Sequence, residues 1–393
     1  MQDFDASAIE SFDSLHAMHA DMRARCPVGR TEALGGFWAL FRHADVLAAL
    51  QQPTRFVTSV QNVVPKVAFT GRRPPLHLDP PEHTPYRAAL NPLLSTEKIA
   101  RLEPAIHRIC TELMQPLATR GHADICEDYA SHLAVRVFGH WMQLPPAMVQ
   151  VLRDAGQAFV MAVRSAQPDS MKRTSLALYE MARELIALRQ RESLDPDTDP
   201  TSALLAARDA AGQPFHAEMV VGTVRQVLVV GIVAPTVFLG GVCVHLSRHP
   251  DLQQLLRAQP DLLPAAIEEF LRLYTPYRGF ARTATEDIEI NGRQIKAQEP
   301  IALVYASANR DEAVFERPDE FILHRPNLHQ HIAFGHGAHY CAGAALARLE
   351  MRVALQVLLE QTHAFSLAAE PEPAPYPEAG TLSVPLNLVA QPA

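Results

Sequence analysis

Basic residues cluster nowhere in this chain, and 35 Lys+Arg against 43 Asp+Glu leave a formal net charge of −8. A protein that grips nucleic acid by neutralising phosphates needs a positive face, so that class is excluded. Cysteine is scarce as well. Cys26, Cys110, Cys126, Cys243 and Cys341 are odd in number and far apart, which speaks against a disulfide framework and for a reducing compartment. Residues 1–30 lack the basic end and apolar stretch of a signal peptide and carry Asp3, Asp5, Glu10 and Asp13 instead; a cytoplasmic location is expected. Internal repeats, low-complexity arrays and long linkers are also missing. With 48% hydrophobic residues, residues 1–393 are expected to bury their core as a single domain.

Long apolar runs are absent with one exception. Residues 227–244 carry no charge, at the lower length limit for a membrane helix. Gly231, Pro235, Gly240 and Gly241 interrupt the run, and Arg225, Gln226, His245, Arg248 and His249 flank it without an aromatic belt. The centre of a large soluble domain also requires a helix that is apolar all round. A buried core helix and no membrane association are therefore expected.

Along the chain, residues 31–34 and 37–41 flank Gly35-Gly36 as a hairpin signal, and a short helix over 44–50 stops at Pro53. Residues 56–81 show no steady period and read as a long loop, a length that is usually functional. Helical periodicity dominates 96–191, a turn falls at 195–200, and helical pattern resumes near 203 and again over 217–248. If continuous, that last helix is roughly 48 Å long. Pro264 opens a further helix with its body over 265–274 and its stop at Thr275-Pro276. Strand-like pieces at 287–290 and 301–305 are joined through Asn291-Gly292; a Pro-rich loop over 370–377 precedes a final strand over 382–388.

The most informative stretch runs from Phe334 through Gly335, His336, Gly337, His339 and Cys341 to Gly343, followed by Leu346, Leu349, Val353 and Val357 on one side of a helix. A lone cysteine is more often a small buried hydrophobe than a ligand. Here Gly335 and Gly337 allow a tight fold before it, and Gly343 removes side-chain bulk where a helix begins. Unpaired N–H groups and the dipole at that helix start favour the thiolate, which is a suitable axial ligand for haem iron. A zinc site from His336, His339 and Cys341 competes, but no second Cys/His cluster completes it.

The complete pattern Phe-Gly-x-Gly-x-His-x-Cys-x-Gly resembles the haem-binding loop of the cytochrome P-450 family, and other segments match along nearly the whole chain. Glu269 and Arg272, three apart on one helix, look like its Glu-x-x-Arg motif; Arg325 falls where the family supplies a third, structural member. His83 and Arg87 resemble its His-x-x-x-Arg pair, and Arg282 and His339 match further contacts to the haem propionates. Charge-assisted bonds to two carboxylates explain His and Arg at all four places. The resemblance implies a mainly α fold with small β-sheets and a long central helix crossing the domain over haem b. It implies a monooxygenase inserting one oxygen atom from O2 into a small molecule by hydroxylation or oxidative O-demethylation. With every residue assigned to the haem domain, electrons are expected from a separate ferredoxin and its NAD(P)H-dependent reductase.

One segment departs from the family. Alignment on Arg248-His249-Pro250 places Gly231, Val233, Ala234, Pro235 and Thr236 on its oxygen-binding region, with Val233 and Ala234 where an acid and an alcohol usually relay protons. Pro235 cannot close its intrahelical bond, so the Gly231 carbonyl is freed, and Thr236 is the nearest hydroxyl. Three readings follow: hydrogen peroxide as oxidant, protons from ordered water and the substrate, or a local slip of alignment. A non-catalytic haem-thiolate sensor is a fourth alternative. Relatives that demethylate methoxyphenols also lack the usual pair. Val64, Val67, Phe69, Val229, Val233 and Phe280 fall where the family lines its substrate pocket; with few charges among them, an apolar or aromatic substrate is expected rather than an anion.

Overall fold

The computed structural model describes residues 2–8, 11–66, 70–164 and 168–391. Strands Val28–Thr31 and Phe37–Leu40 pair antiparallel, so the hairpin forms with its first strand a few residues earlier than the sequence signal. The turn between them takes the positive φ of Gly35 and Gly36, at 93° and 76°, which only glycine adopts freely. Three further strands complete this sheet in the order Val28–Thr31, Phe37–Leu40, Pro300–Leu303, Phe280–Ala284, Phe56–Val57. The Phe37–Leu40 and Pro300–Leu303 strands run parallel, bringing Trp38 opposite Ile301.

Asn291 and Gly292 have φ of 48° and 76°, as a two-residue hairpin turn requires. They join Ile288–Ile290 to Arg293–Ile295, not to the strand beginning at Pro300, which corrects the sequence expectation. The C-terminal strand is also divided: Thr381–Ser383 pairs with Glu372–Pro373, while Pro385–Ala390 lies between His122–Asp124 and Thr362–Leu367. The described residues among 56–81 are mostly loop, with the short strand Phe56–Val57 at one end.

The helical side holds the largest apolar core. Helices Glu103–Arg120, Ser131–Trp141, Leu263–Leu273 and Ala344–Gln361 pack around the two central helices, with Met114, Leu133, Phe270, Val353 and Leu239 among their buried residues. The central helix is not continuous. Ala217–Val230 and Val233–Arg248 are separate, broken at Gly231 and Ile232. Pro235 has no N–H for the Gly231 carbonyl, so it sits in the first turn of the second helix, where missing donors do no harm. Among the described residues 217–248 form the one stretch long and apolar enough to cross a membrane, and 72% of its most apolar window is buried inside the fold.

Candidate active site around Cys341

Gly335 and Gly337 both take left-handed φ, 72° and 70°, and a Cβ on Gly337 would lie 3.0 Å from the Leu50 carbonyl. The chain can therefore turn twice and return so that the Cys341 N–H donates to the Phe334 carbonyl at 2.9 Å. Helix Ala344–Gln361 starts immediately afterwards. Burial pushes the Cys341 thiol up from its ordinary value, while the Gly343 N–H and the Arg87 and Arg348 guanidinium groups pull it down. In the bare chain burial outweighs the helix start and the two guanidinium groups, and a bound metal deprotonates a coordinating thiol outright.

Arg348 anchors the loop from outside. It holds Glu268 at 2.6 and 3.0 Å and lies 4.5 Å over the Phe334 ring. Glu268 also meets His331 Nε2 at 3.0 Å. Nothing in the local sequence spacing singled out Arg348 or Glu268, because their pairing depends on two helices meeting.

The four cationic candidates converge on the same loop. His83 and His339 have ring centroids 4.9 Å apart. His339 Nε2 lies 3.4 Å from Asp79 Oδ1 and 3.5 Å from the Thr58 hydroxyl. Burial would raise Asp79, but the His339 contact and the N–H groups of Thr58 and Ser59 hold it well below the usual carboxylate range. Both His83 nitrogens are engaged within the chain: Nε2 donates to the Ala338 carbonyl at 3.1 Å, and Nδ1 meets the Thr84 hydroxyl at 3.2 Å. His83 therefore clamps the loop directly. Asp79 and Thr58 were missed by sequence reasoning, since both lie in the long loop without a motif.

The half-buried Arg87 side chain makes no hydrogen bond or ion pair among the described residues, and burial lowers its guanidinium from its ordinary value, partly offset by the Cys341 sulfur. Arg282, 5% exposed, donates to the neighbouring Ala281 carbonyl at 2.9 Å and meets the Tyr305 hydroxyl. Two guanidinium groups with no carboxylate partner among the described residues, beside a half-buried thiol, are the donor set that a metal carrying two carboxylates requires. Haem b fits these residues. Among the described residues no three His, Cys, Asp or Glu gather for a metal ion, so His336 and His339 do not assemble a zinc site with Cys341.

Glu269, Arg272 and Arg325 form one buried network, as expected. Arg272 donates to both Glu269 oxygens at 2.8 Å, Arg325 Nε reaches Oε1 at 3.0 Å, and the Ile322 N–H adds a fourth bond at 3.0 Å. The remaining guanidinium donors end on backbone carbonyls of Asn309, Pro318, Glu316 and Glu320. The network fixes the chain leading to the cysteine loop.

In the region that departs from the family, a Cβ on Gly231 would lie 1.9 Å from the Phe138 ring. This glycine is required for helix packing. Thr236 Oγ1 donates to the Ile232 carbonyl at 3.1 Å. Val233 and Thr236 line a cavity of about 250 Å³ together with Glu127, His132, Arg153 and Gln157 from neighbouring helices. The pocket candidates do not all come together. Val64 is 1% exposed and packs in the sheet-side core with Phe37, Phe41 and Ala281, while Val229 belongs to the helical core. Phe280 is partly exposed, 4.6 Å from the Tyr277 ring and 5.8 Å from that of Tyr305. Val67 and Phe69 lie outside the described residues.

A mainly helical fold with a cysteine loop fitted to haem defines a haem-thiolate oxidoreductase. The chain matches the family Cytochrome P450 over residues 158–388. It is 31% identical over 362 residues to cyclomarin C epoxidase of Salinispora arenicola, covering 91% of each chain, and 30% identical over 374 residues to linalool 8-monooxygenase of Pseudomonas putida, covering 90% of each. The structure of a cytochrome P450 from Chondromyces apiculatus superposes with a TM-score of 0.88 at 28% identity, over 99% of both chains. The chain belongs to the cytochrome P450 family: it is a monooxygenase of a family that binds haem b through a cysteine thiolate and uses dioxygen with redox partners.

Proposed function

We propose that residues 1–393 form a single cytoplasmic, monomeric haem domain that inserts one oxygen atom from O2 into a small hydrophobic or aromatic substrate, by hydroxylation or oxidative O-demethylation. Electrons come from a separate ferredoxin and its NAD(P)H-dependent reductase. In this reading Cys341 is the iron ligand, Arg87, Arg282 and His339 hold the haem carboxylates, and His83 sets the loop they share. The carrying observation is the half-buried Cys341 thiol between the Gly343 N–H and Arg87, with no anionic partner for the Arg87 side chain among the described residues. The similarity to a linalool monooxygenase supports an apolar substrate.

Haem held by a thiolate supplies the activation of dioxygen. The residues of this chain then have to bring protons and exclude bulk water. Val233 and Ala234 hold no proton to give, and the Thr236 hydroxyl is directed back at the Ile232 carbonyl. The cavity beside Val233 and Thr236 has polar walls in Glu127, His132 and Arg153, a setting in which water is retained. In this reading ordered water and the substrate's own polar groups replace the absent acid and alcohol. A second reading, hydrogen peroxide as oxidant, is favoured by the same Val233-Ala234 pair, because peroxide carries its own protons. The test is the reduced carbon-monoxide spectrum, followed by turnover with a ferredoxin system and with peroxide. The band that names the family is expected in the wild type and absent in Cys341→His; purified protein with zinc and no haem overturns the assignment.

A further inference from the structure

Where the segment Thr70 to Leu78 crosses the central helices, cationic side chains gather in a region expected to be apolar. Arg73 Nη2 donates to His77 Nε2 at 3.0 Å. Burial, reinforced by Arg73, Arg225 and Arg72, lowers His77 to about 3, so its ring is neutral and accepts. Arg225, on Ala217–Val230, donates to Ser175 Oγ at 3.1 Å and stands 5.8 Å over the Tyr179 ring. Thr70 and Ser175 share a hydroxyl bond of 2.6 Å.

Two donors in this cluster are left over. Tyr179 is 4% exposed and its hydroxyl has no hydrogen-bond partner among the described residues; Arg73 Nε is buried and equally unpartnered among them. Arg73 forms no ion pair with a carboxylate among the described residues, and burial lowers its guanidinium from its ordinary value. The backbone holds these groups in place. A Cβ on Gly71 would lie 2.7 Å from Tyr179 Oη, and one on Gly222 would lie 2.0 Å from the Arg72 carbonyl, so the loop rests directly on the helix. Buried guanidinium groups and unsatisfied donors are unfavourable alone. They become favourable when an acceptor-only anion arrives, and the planar fork of arginine matches a carboxylate.

We propose that Arg73 and the Tyr179 hydroxyl form an anion subsite of the substrate pocket, binding the carboxylate of a substrate whose remaining body is apolar. This rests on reading the chain as a monooxygenase of small hydrophobic molecules, and it replaces the expectation of a wholly uncharged substrate. Arg225 lies on Ala217–Val230, while Ala234 lies on Val233–Arg248 beyond the break, so the subsite and the oxygen-binding region belong to different helices.

Holoenzyme is titrated with decanoic acid and methyl decanoate, and with 4-phenylbutanoic acid and its methyl ester, by Soret shift and in parallel by equilibrium dialysis. Each acid is expected to bind about tenfold or more tighter than its ester at low salt. The gap closes in Arg73→Gln and Tyr179→Phe and is partly kept in Arg73→Lys. Equal affinity for acid and ester, or a gap unchanged in Arg73→Gln, overturns the subsite. The carbon-monoxide band of each protein reports separately on haem ligation, so failure of the haem-thiolate reading is visible there while dialysis still decides the subsite.

Discussion

Glu269 and Arg272 meet in a two-pronged pair, 2.8 Å at each carboxylate oxygen, with both side chains fully closed to solvent. Arg325 joins from the segment leading to the cysteine loop. Removing one member leaves buried charge without compensation, so Glu269→Ala is expected to lose about 3–5 kcal/mol of stability and with it haem content. Denaturant unfolding measures it. A loss under about 1 kcal/mol, the value of an exposed pair, sinks the structural role.

Arg87 and Arg282 face the cysteine loop with no carboxylate partner among the described residues. Arg87→Ala and Arg282→Ala should each retain less haem after gel filtration than Arg101→Ala, whose side chain is 71% exposed and pairs with Glu97 one turn away. Equal haem content in the three proteins counts against the anchoring assignment.

Val233 opens on the polar cavity that also contains Arg153 and Glu127. Restoring an acid and an alcohol in Val233→Asp/Ala234→Thr should raise product formed per NAD(P)H consumed and lower the reliance on peroxide. Wild-type coupling should vary steeply with substrate, because the ligand decides how water is ordered. An unchanged coupling and peroxide-driven rate across several substrates places the proton route elsewhere.

Glu350 is 2% exposed, its Oε1 has no partner among the described residues, and burial pushes its carboxyl up to about 8. The folded chain keeps this proton through a pH range in which the unfolded chain, with an ordinary glutamate near 4.3, has released it. Stability contributed by this group therefore falls as pH rises from about 4.3 to about 8 and levels off above. Glu350→Gln, neutral and similar in shape, should flatten that slope. Unfolding free energies of the two proteins at pH 5 and pH 8 check it; parallel slopes refute it.

The sequence by itself determined the cysteine loop, because Gly335 and Gly337 are needed at positive φ and the spacing to Cys341 is local. It also determined the Glu269–Arg272 pair, which one helical turn brings together. The break after Val230 was half legible: Pro235 announced a lost hydrogen bond, but whether the helix bends or restarts depends on Phe138, whose ring leaves no room for a Cβ at Gly231. Tertiary structure alone decided which side chains share a site. Asp79 and Thr58 reach His339 only because the long loop is pressed against the cysteine loop. Val64 and Val229, assigned to one pocket by position, separated into two cores. Arg73, Tyr179 and Arg225 come from a loop and two helices more than a hundred residues apart in part, and no periodicity encodes their meeting. Burial gives that cluster its chemistry, since desolvation acts on a charge only after distant segments have closed around it.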